Sequence, residues 1–278
     1  MDGALNFRWL GVGGIELETQ GQILLIDPFV TRPPFWRLFL GRPRPNRQLI
    51  EQKIPAGDFV LVSHAHYDHL MDVPEIVRHT GAISFGSPNT CHLLGVLDVV
   101  HERIVEIAPG NLLSLGKIKV LVTPSQHMTV PGQGFAAGDL RRNLRPPLRL
   151  RDYRMDFPLG FLVRAAGIRM LHTLSVNPEH AAPADVLFVS AFHEESFYRA
   201  LLRVVEPRLV VPIHWDDFFR PATKPLRASL RPPRFAFPPA QRIRLDEFQK
   251  MVMQAFPQVK VLIPEIFRRY KVGANLGY

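Results

Sequence analysis

A dense group of histidine and aspartate side chains stands in the first quarter of the chain, in the motif His64-Ala65-His66-Tyr67-Asp68-His69. Four metal-capable side chains within six residues are difficult to explain by packing, because burying them together is unfavourable unless a cation compensates. His64 and His66 alternate on one side of an extended segment, whereas Asp68 and His69 lie where the next turn redirects them. The spacing indicates two adjacent metal sites rather than a solvated histidine-rich turn.

The elements that must position this motif begin with a predicted β-meander. Three apolar segments, at residues 6–10, 15–19 and 22–26, are separated by glycines, which is typical of antiparallel strands joined by tight turns. A short apolar strand at residues 59–62 then leads directly into the motif. The histidine and aspartate side chains are therefore expected at the end of a buried strand.

A helix is predicted directly after the motif, at residues 73–79, where Asp72 is expected to cap it and Pro74 to occupy its first turn. Strand and helix patterns alternate through the rest of the chain. Strands are predicted at 82–85, 103–107, 118–122, 159–171 (a hairpin), 186–189, 209–213 and 260–263, and helices at 88–97, 194–205 and 242–255. Two sheet-forming halves that face each other, with helices outside, accommodate this order.

Two segments break the pattern of strands and helices. Residues 28–55 mix proline, arginine and large aromatic side chains, and residues 131–158 carry six arginines between Arg141 and Arg154. Both are predicted to be surface excursions, the first with one short helix, on a single domain that covers residues 1–278. The arginines between 141 and 154 either clamp a phosphate or form a solvated basic loop.

Composition excludes several classes of protein. The chain has 278 residues, of which 46% are hydrophobic and 21% charged, so it is neither a disordered nor a membrane-spanning sequence. The single cysteine, Cys91, precludes an internal disulfide, and the N-terminal segment lacks the pattern of a signal peptide. We therefore expect a cytoplasmic location.

The net charge indicates the kind of partner. The formal charge of +9, carried mostly by arginine, indicates either anionic partners or a basic surface tuned for solubility. A small anionic molecule is the expected substrate. No base-stacking platform or helix-turn-helix pattern supports nucleic-acid binding. Contact with a membrane surface and formation of a homo-oligomer stay open.

The motif HxHxDH after an apolar strand resembles the metallo-β-lactamase fold superfamily of metal-dependent hydrolases. The resemblance runs from residue 7 to about residue 219 and includes WLGVGGIELE, QILLIDPF, SQH at 125–127, GFLV at 160–163 and PIHW at 212–215. It looks most like the branch that contains ascorbate-6-phosphate lactonase-like proteins and N-acyl phosphatidylethanolamine phospholipase D. It implies an α+β fold, a four-layer αββα sandwich in which two mixed sheets face each other with helices outside.

The resemblance also implies two sets of metal ligands. The first set is His64, His66 and His127, and the second is Asp68, His69 and His214. Three protein ligands leave a position for water, the pattern of catalytic Zn²⁺. We expect one or two Zn²⁺ ions, with Mn²⁺ or Fe²⁺ as alternatives.

One position departs from the family pattern. Ser175 stands where many relatives carry an aspartate that bridges two metals. Either the site is degenerate, with a weakened second metal, or it resembles the subclass whose second site is Asp-His-His and whose metals share no carboxylate. Because all six other ligands persist, a working site is favoured.

Three further side chains receive roles from this resemblance and from their places at strand ends. Asp68 is predicted to be catalytic and to orient the nucleophile, and His193 to be catalytic and to protonate the leaving group. Asp27 either orients a ligand histidine from behind or is simply a turn residue.

The predicted function is that of a metal-dependent hydrolase. A metal-bound hydroxide would cleave an ester, lactone or phosphodiester bond in a phosphate-bearing substrate. The alternative is a non-catalytic or degenerate metal-binding member of the fold that binds an anionic ligand or partner.

Overall fold

The histidine motif follows a strand of the first of two seven-stranded sheets. The computed structural model describes residues 4–127, 136–230 and 241–273. The strands of this sheet are β1 (Leu5–Gly11), β2 (Gly14–Thr19), β3 (Gln22–Ile26), β4 (Phe59–Leu61), β5 (Ile83–Gly86), β6 (Ile104–Glu106) and β14 (Arg269–Val272). They lie in the order β14-β1-β2-β3-β4-β5-β6. The meander predicted for β1, β2 and β3 is confirmed, because both of its strand pairs are antiparallel.

The second sheet faces the first. Its strands are β7 (Leu112–Leu115), β8 (Ile118–Pro124), β9 (Leu159–Ala165), β10 (Ile168–Thr173), β11 (Val186–Ser190), β12 (Leu209–Ile213) and β13 (Lys260–Val261), in the order β13-β12-β11-β10-β9-β8-β7. Phe7 of β1 contacts Phe188 of β11 with ring centroids 5.3 Å apart. The core between the sheets is continuous from one to the other. The predicted pair of facing mixed sheets is confirmed.

Helices cover the outer faces. They are α1 (Phe35–Leu40), α2 (Arg47–Lys53), α3 (Tyr67–Leu70), α4 (Val73–Thr80), α5 (Pro88–Val96), α6 (Glu195–Val205) and α7 (Leu245–Ala255). Strand β3 shows why the first sheet needs them: Leu24 and Ile26 face the core between the sheets, whereas Leu25 faces a second core shared with α2, α4 and α5. Alternate side chains of a strand point to opposite faces, so a strand that is apolar throughout must be covered on both.

Strand direction brings the functional segments to one edge. Strands β3, β4, β5 and β6 are parallel, as are β10, β11 and β12. Strand β8 runs the same way as β10, because β9 is antiparallel to both. The carboxyl ends of these strands therefore carry the segments that hold the predicted site, which is where ligands bind in sheets of this kind.

The segment at residues 28–55 differs from the predicted excursion. It contains two short helices, α1 and α2, rather than one. Leu38 and Ile50 anchor these helices in the core on the outer face of the first sheet. Of the second predicted excursion, residues 131–135 lie outside the described residues, and residues 136–158 form irregular structure with a short 3₁₀ helix at Leu150–Asp152. The single-domain assignment stays a prediction.

Asp72 does not cap α4 with its side chain, so that prediction is wrong. Its carboxylate instead accepts hydrogen bonds from the backbone N–H groups of Val30 (2.7 Å) and Thr31 (2.9 Å). These contacts fasten residues 28–55 to the helix that follows the motif. Burial raises the pKa of Asp72 to about 6, although these hydrogen bonds and Arg32 act in the opposite direction.

This raised pKa predicts a pH-dependent stability. Because the folded-state pKa exceeds the unfolded value of ~3.9, protonated Asp72 stabilises the fold below about pH 4, and this contribution is lost as the pH rises through the folded-state pKa. As the pH rises through this range, the free energy of unfolding of the wild type should fall by about 3 kcal/mol relative to that of Asp72→Asn. Urea unfolding of both proteins from pH 4 to 7 measures the difference, and a difference independent of pH would contradict the prediction.

Candidate metal centre

Six side chains from the predicted ligand sets come together where the two sheets meet. His64 and His66 lie between the end of β4 and the start of α3, and Asp68 and His69 lie within α3. His127 and His214 follow β8 and β12. The rings of His69 and His214 lie 5.5 Å apart, although their segments belong to different sheets. The described residues contain two groups able to hold a metal ion. These are His64, His66 and His127 (the first trio) and Asp68, His69 and His214 (the second trio).

The first trio is a cluster of three imidazoles. Within each trio the ligand atoms lie within 4.8 Å of one another. His64 Nε2 lies 3.0 Å from His66 Nδ1, and the ring of His127 lies 5.0 Å and 4.6 Å from the rings of His64 and His66. His64 is buried, whereas His66 and His127 are half-buried. The trio is thus anchored on the protein side and reaches the surface on the other.

The second trio combines a carboxylate with two imidazoles. Asp68 Oδ2 lies 3.6 Å from His69 Nε2 and 3.5 Å from His214 Nε2. The two trios are neighbours, since the rings of His64 and His69 have centroids 4.0 Å apart. Two cations held in this way would share one substrate-accessible edge.

Asp27 connects both trios from behind. Its Oδ2 lies 2.9 Å from His69 Nδ1 and accepts a hydrogen bond from Ser63 Oγ at 2.5 Å, while its Oδ1 accepts from the Ser63 backbone N–H at 2.6 Å. Ser63 Oγ in turn lies 2.9 Å from His64 Nδ1. One buried carboxylate thereby orients His69 directly and His64 through a serine. Of the two readings of Asp27, this geometry supports the orienting role.

These contacts assign the tautomers of three histidines. Ser63 Oγ donates to Asp27 and so accepts from His64 Nδ1–H. His69 Nδ1 lies 2.9 Å from the Asp27 carboxylate, which favours a proton on that nitrogen. His66 donates Nε2–H to the Ala136 carbonyl at 3.0 Å. The remaining nitrogens, Nε2 of His64 and His69 and Nδ1 of His66, therefore carry lone pairs.

Those lone pairs test whether the residues fit a metal. His64 Nε2 faces His66 Nδ1 at 3.0 Å, and His69 Nε2 faces the Asp68 carboxylate at 3.6 Å. Two electron pairs so close repel each other unless a proton or a cation lies between them. Three donors in each trio, with imidazole nitrogen and carboxylate oxygen as ligand atoms, match the donor set of an open zinc site. The residues fit a pair of divalent cations.

The electrostatics of the first trio favour metal ligation. Burial and the neighbouring imidazoles lower the pKa of His64 well below its ordinary value, and burial also lowers the pKa of His66. Both rings are thus neutral at pH 7, which is the state that a metal ligand requires.

The second trio is more strongly polarised. Burial acts against ionisation of Asp68, but His69 and His214 outweigh it and hold the pKa of Asp68 well below its usual range. Burial likewise opposes a charge on His69, but Asp27 and Asp68 together raise the pKa of that ring. A cation at the second trio must therefore compete with a proton on His69.

Replacing Asp27 is expected to weaken both cation sites. Asp27→Ala removes the acceptor that orients His69 and, through Ser63, His64, and losses of such partners typically lower metal affinity 10- to 100-fold. Competition between the protein and a chromogenic chelator for Zn²⁺ measures both affinities. Ser63→Ala is the matched control, because it removes the link to His64 but leaves the Asp27 carboxylate next to His69, so it should weaken the first site more than the second. Unchanged affinities in Asp27→Ala would contradict this network.

The structure also locates the two remaining predicted positions. Ser175 follows β10 and belongs to neither trio, and no carboxylate among the described residues belongs to both. The Ser175 carbonyl accepts hydrogen bonds from Gln126 N–H at 2.8 Å and Ser125 Oγ at 2.6 Å, so this position steers the segment that ends in His127. The two trios therefore share no carboxylate among the described residues, and Ser175 stands where many relatives carry the bridging aspartate.

His193 lies beside the trios rather than within them. Its Nε2 is 3.2 Å from the Leu174 carbonyl, and its ring stacks on Phe197 with centroids 4.0 Å apart. Phe192 separates it from His214, with ring centroids 4.6 Å and 6.1 Å from the two histidines. Its catalytic role, and metal binding by the six ligands, stay predictions.

The backbone around His214 is strained and fastened by a buried ion pair. His214 and Val12 have φ values of +53° and +50°, a region that non-glycine residues rarely adopt. The Val12 carbonyl accepts a hydrogen bond from His214 N–H at 2.7 Å, and Val12 N–H donates to Asp216 at 2.9 Å. Asp216 also pairs with the fully buried Arg32 at 2.5 Å. This network holds the last ligand of the second trio in place.

Sequence reasoning missed three of these supporting groups. Ser63 lies between the buried strand and the motif, and this position could have indicated that it contacts a ligand. The Ala136 carbonyl has no side-chain signature. Arg32 and Asp216 are separated by 184 residues, and nothing local in the sequence connects them.

Comparison with known proteins agrees with this geometry. The family model described as the beta-lactamase superfamily domain matches residues 22–215. Among curated proteins, a UPF0173 metal-dependent hydrolase from Carboxydothermus hydrogenoformans is 27% identical over 227 residues, covering 77% of this chain and 86% of that protein. Another, from Polynucleobacter asymbioticus, is 25% identical over 244 residues, covering 80% and 77%.

Solved structures show the same fold. Igni18, described as a metallo hydrolase from Ignicoccus hospitalis, superimposes with a TM-score of 0.63 at 19% identity and covers 97% of this chain and 99% of its own. The metallo-beta-lactamase fold protein YhfI from Bacillus subtilis gives a TM-score of 0.59 at 11% identity, with coverage of 96% and 99%.

Together the fold and the two trios define a metallo-β-lactamase-type protein with a candidate metal centre. The chain belongs to the beta-lactamase superfamily. The predicted superfamily, its fold and the assignment to its metal-dependent hydrolases are confirmed by these relatives. The finer resemblance to the lactonase-like and phospholipase D branch stays a prediction. Within the described ranges, no helix is both long and apolar enough to cross a membrane.

Proposed function

We propose that this metal-dependent hydrolase binds two divalent cations, preferably Zn²⁺, and cleaves an ester, lactone or phosphodiester bond in a small anionic substrate. The single observation that supports this most strongly is the adjacency of two three-ligand sets, in each of which the ligand atoms lie within 4.8 Å of one another. Imidazole and carboxylate ligands suit Zn²⁺, and they also accept Mn²⁺ or Fe²⁺.

The residues of the candidate metal centre have separate roles. His64, His66 and His127 would hold one cation, and Asp68, His69 and His214 the other. A bound divalent cation supplies Lewis acidity, which acidifies water and polarises a substrate oxygen. Asp27 fixes the ring orientation and protonation of two ligands, and the ionised Asp68 accepts a hydrogen bond from the attacking water.

We assign protonation of the leaving group to His193, which lies beside the two trios. Because its Nε2–H donates to the Leu174 carbonyl, the Nδ1 of the neutral ring is an acceptor. His193 must therefore take up a proton before it can give one to the leaving group. The anionic character of the substrate is supported by the net charge of +9 and by the exposed arginines between residues 141 and 151.

A substrate panel with metal exchange tests this function. Purified protein is assayed on p-nitrophenyl acetate, bis(p-nitrophenyl) phosphate and a simple lactone, before and after chelation and re-addition of Zn²⁺, Mn²⁺ or Fe²⁺. We expect turnover of at least one substrate, its loss on chelation and its return with one of the ions. His101→Ala, which changes an exposed histidine outside both trios, is the matched control and should leave turnover unchanged. Two bound cations without turnover on any of the three would instead support the non-catalytic alternative.

A further inference from the structure

Helix α1 exposes an unusual amount of apolar surface. Four of its six residues are large, apolar and exposed: Phe35 (57%), Trp36 (60%), Phe39 (49%) and Leu40 (87%). Only Leu38 is buried and anchors the helix to the core. A contiguous group of this kind on a soluble surface is costly in water and marks a place where another surface binds.

Exposed arginines surround these apolar side chains. Arg37, Arg42 and Arg44 lie on or next to α1. Arg42 Nη1 donates to the Pro147 carbonyl at 2.8 Å, which joins this segment to the second arginine-rich segment. That segment exposes Arg141, Arg142, Arg145, Arg149 and Arg151. We call α1 and these eight arginines the interfacial patch.

The interfacial patch carries a concentrated positive charge. Among the described residues, the ion pairs include none of its eight arginines. The sequence from residue 32 to 50 and from 140 to 151 also contains no aspartate or glutamate. The patch therefore combines exposed apolar side chains with arginines that form no ion pair among the described residues.

The patch adjoins the metal centre through a row of aromatic rings. Phe35 contacts Phe219 with ring centroids 5.2 Å apart, Phe219 contacts Phe218 at 4.5 Å, and Phe218 contacts His214 at 5.9 Å. The second arginine-rich segment begins close to Ala136, whose carbonyl holds His66. A surface that binds the patch would lie beside the opening of both trios.

We propose that the interfacial patch docks this protein onto an anionic lipid surface. The side chains of Phe35, Trp36, Phe39 and Leu40 would enter the boundary between headgroups and acyl chains, while the arginines pair with headgroup phosphates. A second copy of the chain fits less well, because a symmetric contact would bring arginines against arginines. Nucleic acid fits less well because Leu40, the most exposed of the four apolar side chains, offers no ring for stacking on a base.

Trp36 is a built-in probe for this docking. The other two tryptophans, Trp9 and Trp215, are buried and stack on each other with ring centroids 5.1 Å apart. Vesicles of phosphatidylcholine in which about 30% of the lipid is anionic phosphatidylglycerol are added to the 278-residue protein. We expect a blue shift of the emission, quenching by brominated acyl chains and reversal at high salt, with weaker effects on pure phosphatidylcholine.

Variants separate the apolar from the charged contribution. The double variant Phe39→Ser/Leu40→Ser keeps the probe and should weaken vesicle partitioning at least about tenfold. Arg141→Gln/Arg142→Gln should weaken binding to anionic vesicles by about fivefold for each arginine removed. The matched control is Leu112→Ser, which changes a 79% exposed leucine on the edge strand β7 and should leave partitioning unchanged.

Three results would overturn the proposal. One is a lack of shift and quenching with anionic vesicles at low salt. Another is a shift of the Trp36 emission that occurs without lipid, depends on protein concentration and accompanies dimer formation in sedimentation. That result would mean that the patch binds a second copy of the chain. The last is a shift produced by RNA or single-stranded DNA but not by vesicles. Hydrolysis of soluble substrates is measured in parallel, so failure of docking is distinguishable from failure of the proposed function.

Discussion

Asp68→Ala should lower kcat/KM for hydrolysis by roughly a thousandfold or more. The carboxylate is the only anionic ligand in the two trios, and its Oδ2 lies within 3.6 Å of both partner imidazoles. Without it, the second cation loses a ligand and the attacking water loses its acceptor. Metal activation is worth several kcal/mol of transition-state stabilisation, and each ~1.4 kcal/mol corresponds to a factor of ten in rate.

The loss in Asp68→Ala should occur without unfolding. Because His69 and His214 outweigh the cost of burying the Asp68 carboxylate, Asp68→Ala should lower the stability of the apo-protein without unfolding it. Circular dichroism and urea unfolding of the apo-proteins check this. Asp68→Asn, which keeps the oxygen but not the charge, should be intermediate in activity. An Asp68→Ala enzyme within tenfold of the wild type would contradict the assignment of Asp68.

Arg32→Met is expected to have the largest effect on stability. The side chains of Arg32 and Asp216 are both fully buried, so removing one partner leaves an uncompensated charge in the core. Breaking such a pair typically costs about 3–5 kcal/mol. Urea unfolding at pH 7 measures the loss.

A double-mutant cycle isolates the ion pair. Asp216→Asn keeps an oxygen that can accept from the Val12 N–H. Arg32→Met/Asp216→Asn should therefore recover a large part of the stability lost in Arg32→Met, because no buried charge is left unpaired. Strictly additive losses would contradict the pairing. Because Val12 also holds the His214 backbone, Arg32→Met should in addition weaken cation binding at the second trio.

The parts of the fold that could be predicted are those encoded locally. The meander and the strand, motif and helix sequence around residues 59–80 follow from apolar periodicity and from glycine and proline at their boundaries. The ligand sets followed from the resemblance of the motif and of the segments that end in His127 and His214. The structure brings these segments together at one edge.

The parts that could not be predicted depend on contacts between distant segments. Strands β7 and β14 were missed because edge strands carry little apolar pattern: Leu112 is exposed in β7, and β14 exposes Arg269 and Lys271. The predicted role of Asp72 was wrong because its acceptor atoms are used by Val30 and Thr31, 42 and 41 residues away, rather than by the helix that it precedes.

The segment at residues 28–55 also depends on distant contacts that its sequence does not reveal. Its composition indicates a loop, and the proline and arginine content is correctly associated with the surface. Its anchors, however, are the isolated apolar side chains Leu38 and Ile50, and they become visible only once the outer core is assembled. The arginine that matters most for the fold, Arg32, looks like any other surface arginine in the sequence.

The most direct test of two cation sites is the metal content of the protein. Apo-protein is loaded with excess Zn²⁺, freed of unbound ion by gel filtration and measured by inductively coupled plasma mass spectrometry. Two equivalents per chain are expected for the wild type and for His101→Ala, and one equivalent for each of His66→Ala and His69→Ala. A wild type that retains no zinc, or single variants that retain as much as the wild type, would contradict the assignment of the two trios.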